Sequence, residues 1–434
     1  MEMRNDLREM DEGGSDPDSR QPDDANAARA PGAPARKAEV ARLNPHDGYP
    51  VLRTLARSPA LVDSKPFHGT CLALLLHPRR SLKATLATLC ALGADPPDIT
   101  LLYKDYRYPE RKEVLEWATT AGVRTAPLSD LKVQVAAFEA RLNGRRWLAL
   151  EDGGHWAMEA YRRPLLLSSA IGFVEQTTRG IWTVERSGVQ LIKPHLSLPA
   201  SVIKKTFECD FVGEAVTLSL KSHMGGALAG ATVAVLGAAG TIGAAVAESL
   251  RQAGMRVYAY DSSPPPYWAL TKHGRITVCA SKAEAITGRD VVVGATGGTV
   301  LELDDLRWLK DGVLLASASS EQVEFPLALL RQFCPCPLPW STSGVGATNG
   351  EVFTLPAGRR IVLLDGGRPI NLGMAGSPEA ECFDLIMALL AAGAADMAGG
   401  FYADSAGIID DFDQVCERHN LDGLYRALHP EVNQ

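Results

Sequence analysis

Four places in this chain hold reactive side chains at spacings that chemistry can use. Lys204 and Glu208 lie one helical turn apart, so a helix would set an ammonium and a carboxylate on one face. They read either as a surface ion pair or as a coupled acid–base pair, and the neighbouring Lys205 is the mark of a solvated face. Asp152 stands before Gly153 and Gly154, as a carboxylate at a strand end or as a turn former. His77 stands before Pro78, where an imidazole can exchange protons near neutral pH or cap the helix that follows. The fourth place is Gly237, Gly240 and Gly243, in G-x-x-G-x-x-G spacing, with Asp261 24 positions after the first glycine. Glycines spaced this way make a tight turn, admit a pyrophosphate to the backbone and let a helix pack closely. Thr241 and Ile242 complete this turn as further cofactor contacts, before a helix whose amino end would face phosphate. Asp261 can accept from both hydroxyls of an adenosine ribose and would repel a 2′-phosphate, so the expected cofactor is NAD.

Elements that could position these groups are legible around them. The valine-rich run 232–236 reads as a buried parallel strand, 244–253 as a helix and 256–260 as a second strand ending at the acid. Upstream, 70–76 is a strand leading into His77-Pro-Arg-Arg-Ser81 and a helix over 82–92. Further strands are expected at 98–103, 146–150 and 164–169, with a helix at 110–120. Polar groups at the carboxyl ends of such strands are where open α/β sheets bind ligands. Residues 201–223 read as a helix with Phe207, Phe211 and Val212 on its apolar side. Strands follow at 276–278, 291–294, 313–316 and 360–364, the second leading into Thr296 and Gly297. A late helix over 380–390 is placed to return to the first domain, and the last fifteen or so residues have no assignable pattern.

Composition sets the bounds. The 434 residues are 46% hydrophobic, enough for two large domains, and the net charge of −7 comes without the basic block that nucleic-acid binding needs. Residues 1–44 are too poor in large apolar side chains to fold and are expected to form a disordered tail. No signal peptide is visible at the amino terminus. The uncharged stretch 224–247 is long enough to imitate a membrane helix, yet its six glycines and its strand–turn–helix parse exclude a span. Among eight cysteines only Cys334 and Cys336 are close, without partners at zinc-site spacing, so reduced thiols, no metal and a cytoplasmic setting are expected.

Several motifs in one order carry a resemblance to the adenosylhomocysteinase family over roughly residues 65–392. They are LEDGGHW at 150–156, GFVEQTTRG at 172–180, SVIKKTFE at 201–208, the glycine motif, and GRRIVLLDGGRPINLG at 358–373. The resemblance implies a discontinuous α/β substrate domain (45–215, with 374–434 returning to it) hinged to a Rossmann NAD domain (216–373), in a homodimer or homotetramer. It further implies tightly held NAD and transient oxidation of a nucleoside 3′-hydroxyl, which acidifies C4′–H and releases the 5′ substituent. On this resemblance His77 and Asp152 are acid–base residues, while Lys204 and Glu208, the latter in place of an aspartate, handle the 3′-hydroxyl. Thr177, Thr178 and Asn371 would lie near the nicotinamide. Departures are concentrated in the substrate pocket. Gln176 replaces a glutamate, Ser320 and Ser377 stand where the family has histidines, and Arg79 and Ser81 alter the adenine side. A Lys–Tyr pair that closes the family's carboxyl terminus is missing. Serine cannot replace imidazole as a proton acceptor near neutral pH. The expectation is therefore an NAD-dependent, redox-neutral lyase that forms a 4′,5′-unsaturated nucleoside, as in specialised nucleoside biosynthesis. The alternatives are an ordinary adenosylhomocysteinase and a catalytically silent NAD- or nucleoside-binding protein.

Overall fold

The computed structural model describes residues 44–106, 108–226, 228–263, 276–319, 321–341, 350–372 and 379–430. Residues 1–43 of the expected tail therefore lie outside the described residues, as do Ser320 and Ser377.

Two sheets organise the chain. The first contains β1 (Cys71–Leu75), β2 (Ile99–Tyr103), β3 (Arg124–Pro127), β4 (Trp147–Glu151), β5 (Ala170–Glu175), β6 (Pro194–Ser197) and β15 (Gly407–Ile409). Its order is β15-β6-β5-β4-β1-β2-β3 and all neighbours are parallel. The second sheet takes β7 (Thr232–Leu236), β8 (Arg256–Tyr260), β9 (Ile276–Val278), β10 (Val291–Gly294), β11 (Val313–Ser317), β12 (Leu338–Trp340), β13 (Gly350–Thr354) and β14 (Arg360–Leu364). Its order is β12-β13-β14-β11-β10-β7-β8-β9, parallel except for the antiparallel edge at β12 and β13. Strands β1, β4 and β7 are buried at every position, which is why they read as unbroken apolar runs rather than alternating ones.

Both sheets reverse their winding once, the first between β1 and β4 and the second between β7 and β10. Loops leaving the two strands at such a point run to opposite faces and open a crevice at the strands' carboxyl ends. This is a two-domain α/β architecture with a Rossmann-type nucleotide domain. The helix Val202–His223 links the two sheets and runs through the boundary expected at 215/216.

Residues 164–169, expected as a strand, form the helix Pro164–Ser169. Pro164 presets its first turn, Leu166 and Leu167 are buried, and the strand begins only at Ala170. The late helix is longer than expected, Glu379–Ala398. It packs in the first core beside β4, β5 and the helix Arg80–Ala91. Its Asp384 is fully buried and accepts from the backbone N–H groups of Val51 and Leu52 at 2.8 and 2.9 Å. Nε2 of His429 lies 2.9 Å from the same carboxylate, so one acid ties both ends of the described chain to the first domain. Within the last fifteen or so residues, whose sequence has no assignable pattern, Leu421–Leu428 form a helix, and β15 and the helix Phe412–Arg418 precede it. Among the described residues no helix is long and apolar enough to cross a membrane, no group of side chains could hold a metal, and no disulfide joins the eight cysteines.

Candidate active site at two facing crevices

The reversal between β1 and β4 explains how residues 75 positions apart meet. His77 leaves the end of β1 and Asp152 the end of β4, and Nε2 of His77 lies 2.7 Å from Oδ2 of Asp152. On the other side of the carboxylate, Nζ of Lys104, just beyond β2, donates to Oδ1 at 2.8 Å. Burial would raise the Asp152 carboxyl, but the Lys104 ammonium and His77 outweigh it and hold the group well below the usual carboxylate range. Burial likewise opposes the Lys104 charge, and Asp152 overcomes it, so the ammonium is held on. The hydroxyl of Tyr108 lies 2.6 Å from Nδ1 of His77, and Tyr106 stacks on the imidazole at 5.7 Å. Burial pushes the Tyr106 hydroxyl up to about 12.

Lys104, Tyr106 and Tyr108 were not among the expected site residues. They sit in what reads as a polar turn after a strand, and their one signal is that position at a carboxyl end.

Two buried glutamates shape the same crevice. Glu151 accepts from the N–H groups of Trp156 and Ala157 at 2.7 and 3.1 Å. Glu175 accepts from the N–H groups of Gly153, Gly154 and Thr177 and from the Thr177 hydroxyl, at 3.1, 2.9, 2.7 and 2.6 Å. Burial, together with the neighbouring acids, raises both carboxyls. They hold rigid the loop that presents Asp152. Thr177 also caps the helix Thr178–Glu185, accepting from Gly180 N–H at 3.1 Å, so its hydroxyl already has two partners. His155 follows in this loop with a buried Nε2 that has no hydrogen-bond partner.

Three of the five expected substrate contacts, Arg79, Ser81 and Gln176, come together beside His77. His77, Arg79, Ser81 and Gln176 line one small cavity with Phe383 and Met387 of the returning helix. Arg79 is buried rather than solvated, with its guanidinium over the Tyr108 ring at 5.3 Å and Nη1 donating to the Leu372 carbonyl at 3.1 Å.

Lys204 and Glu208 do pair across one turn of the helix Val202–His223, whose start is capped by Ser201 accepting from Lys204 N–H at 3.1 Å. Lys205 is exposed. The turn Ile370–Leu372 packs against this helix, and the Asn371 Oδ1 within it is buried without a partner.

The second crevice is built for a dinucleotide. Gly237 has φ +93°, and a Cβ there would stand 2.7 Å from the Ala295 carbonyl oxygen. At Gly243 a Cβ would stand 2.1 Å from the Gly237 oxygen. Only glycines permit this turn; Gly240 N–H donates to the Gly237 carbonyl at 3.0 Å, and the first N–H groups of the helix Thr241–Gln252, at Thr241 and Ile242, are left open. Asp261 accepts from Ala239 N–H at 3.0 Å, which brings the acid against the glycine loop. Across the reversal, Thr296 and Gly297 donate their N–H groups to Oε1 of buried Glu324, both at 2.7 Å. These residues, with the unpartnered Asn371 oxygen, fit a nicotinamide dinucleotide.

The two crevices face each other. Arg179 donates to the Gly297 carbonyl at 3.1 Å, and Glu321, beyond β11, lies 3.7 Å from Lys104 and 3.6 Å from Arg179. Glu321 was not expected, although it adjoins the position where the resemblance loses its histidine.

Residues 213–377 match the family described as S-adenosyl-L-homocysteine hydrolase, NAD binding domain. An uncharacterized protein of Mycobacterium tuberculosis is 30% identical over 390 residues, 83% of this chain and 71% of that one. The adenosylhomocysteinase of Sulfurisphaera tokodaii is 25% identical over 335 residues, covering 74% and 75% of the two chains. That of Thermotoga maritima is 28% identical over 254 residues, covering 57% and 60%. The chain belongs to one family with the mycobacterial protein, within the adenosylhomocysteinase superfamily.

Proposed function

We propose that this protein is an NAD-dependent, redox-neutral enzyme that removes the 5′ substituent from an adenosine-like nucleoside after transient oxidation at C3′. The observation that supports this reading is the facing of a buried acid–base cluster, His77–Asp152–Lys104, and a dinucleotide cradle across the Arg179–Gly297 contact. When bound, the nicotinamide ring supplies a reversible hydride acceptor. Gly237, Gly240 and Gly243 would hold the pyrophosphate, Asp261 the ribose, and Thr296, Gly297 and Asn371 the nicotinamide side. Lys204 would stabilise the 3′-oxygen while Glu208, paired with it, takes the hydroxyl proton. Asp152, kept ionised by Lys104, has the protonation state of an acceptor and serves C4′, which leaves the His77 side of the cluster to supply the proton that the departing group needs. Arg79, Ser81 and Gln176 line the cavity beside His77 and would orient the base and sugar.

Elimination is favoured over hydrolysis by what adjoins the cluster from the nucleotide domain. Ser319 and Glu321 flank Ser320, and Glu321 is committed to Lys104 and Arg179. No imidazole stands in this run to activate a water.

The test incubates the NAD-loaded protein with C4′-deuterated adenosine and 5′-substituted adenosines, followed by mass spectrometry. Washout of deuterium with loss of the 5′ group as a 4′,5′-alkene is expected. Adenosine and homocysteine from adenosylhomocysteine would identify the hydrolase instead, and retention of NAD without exchange would identify a binding protein.

A further inference from the structure

His77 is engaged at both ring nitrogens. Nε2 faces Asp152 at 2.7 Å and Nδ1 faces the Tyr108 hydroxyl at 2.6 Å. Tyr106 stacks on one face of the ring and the Tyr108 ring meets it edge-on, both with centroids 5.7 Å away. An imidazole clamped in this way offers no free nitrogen to a substrate. A proton leaving it must pass through one of its two partners, and one of these is an acid that Lys104 keeps ionised. The arrangement has the order of a catalytic triad, carboxylate then imidazole then hydroxyl, with a phenol as the outer group.

We infer that the Tyr108 hydroxyl, and not His77, delivers the proton to the departing 5′ group. The inference rests on the elimination proposed above and closes its proton balance. The C4′–H bond breaks, and its electron pair becomes the second bond between C4′ and C5′. The C5′–O bond breaks with its pair on oxygen. Asp152 takes the C4′ proton. His77, protonated on both nitrogens at the start, gives its Nδ1 proton to the Tyr108 oxygen, and the Tyr108 proton goes to the leaving oxygen. The pair ends as carboxylic acid and neutral imidazole, and return of one proton from Asp152 to His77 restores the charges. No solvent proton is consumed, in keeping with a buried Asp152 and a buried Tyr108.

The leaving group's own need for a proton separates this relay from a structural role. Two substrates serve, 5′-O-methyladenosine, whose alkoxide must be protonated, and 5′-O-(4-nitrophenyl)adenosine, whose phenolate need not be. Y108F is expected to lose about 100-fold or more on the methyl ether, the usual share of one general acid. It should keep C4′ deuterium washout and eliminate 4-nitrophenolate within about threefold of the unaltered protein. Difluorotyrosine placed at position 108 retains the hydroxyl and should shift the alkaline limb of the methyl-ether profile to lower pH. Equal loss on both ethers, loss on neither, or an unmoved alkaline limb overturns the relay. Absence of C4′ washout in the unaltered, NAD-loaded protein overturns the reaction itself, and the relay with it.

Discussion

At Asp152 two effects of opposite sign compete, and their balance decides what the residue can do. Removing a carboxylate from water raises its pKa, while an ammonium at 2.8 Å and an imidazole at 2.7 Å lower it, and the charges win. Lys104→Met should therefore let the carboxyl titrate at higher pH. An acceptor that must be ionised then fails earlier as pH falls, so C4′ exchange, without an acid limb from Asp152 down to pH 4 in the unaltered protein, gains one above pH 4. Exchange rates measured in deuterated buffers from pH 4 to 9 check this. Glu324 acts by position rather than by charge transfer, since its carboxylate serves to hold the N–H groups of Thr296 and Gly297 in place.

The elements supply the convergence that single residues cannot. The turn after β7 closes so tightly that Gly243 packs on the Gly237 carbonyl, so Gly243→Ala must open it. We expect a loss of about 1–3 kcal/mol in unfolding free energy. At least tenfold weaker NADH binding should accompany it, measured by urea denaturation and fluorescence titration. The returning helix Glu379–Ala398 is fastened by Asp384 to Val51, Leu52 and His429. Asp384→Ala strands two buried N–H groups and should cost about 3 kcal/mol, with the loss appearing in the unfolding of the first domain. The helix is apolar enough to be read from sequence, but its anchor is not, because the partners lie 332 and 333 positions away.

For the whole molecule, acid stability is set partly by a histidine remote from the chemistry. His195 on β6 is buried, packed against the rings of Tyr161 and Phe173 with centroids 5.7 and 4.6 Å away, and its Nε2 lies 3.0 Å from the Tyr161 hydroxyl. Burial pushes its pKa down to about 4. The unfolded chain takes up this proton near pH 6.5, so between there and about 4 the unfolded state binds more protons and stability is lost as pH is lowered. The slope should reach at most about 1.4 kcal/mol per pH unit. His195→Gln should flatten it in denaturation curves taken at successive pH values.

Much of this architecture was already legible along the chain. Apolar runs such as 232–236 and 291–294 are buried on both faces, and the glycine turn with its terminal acid is a local device whose parts lie within 25 residues. The pairing of Lys204 with Glu208 was likewise local, set by the pitch of one helix. Segment 164–169 misled because three leucines fit a strand as well as a helical turn, and burial of Leu166 and Leu167 chose the helix. What could not be read were the meetings of distant strand ends. Lys104 and Tyr108 became site residues, and Glu321 a bridge to the second sheet, only once two sheets had each reversed their winding and turned those crevices together. Such contacts depend on strand order, which hydrogen bonding and core packing select over the entire fold, and no spacing within the sequence encodes them.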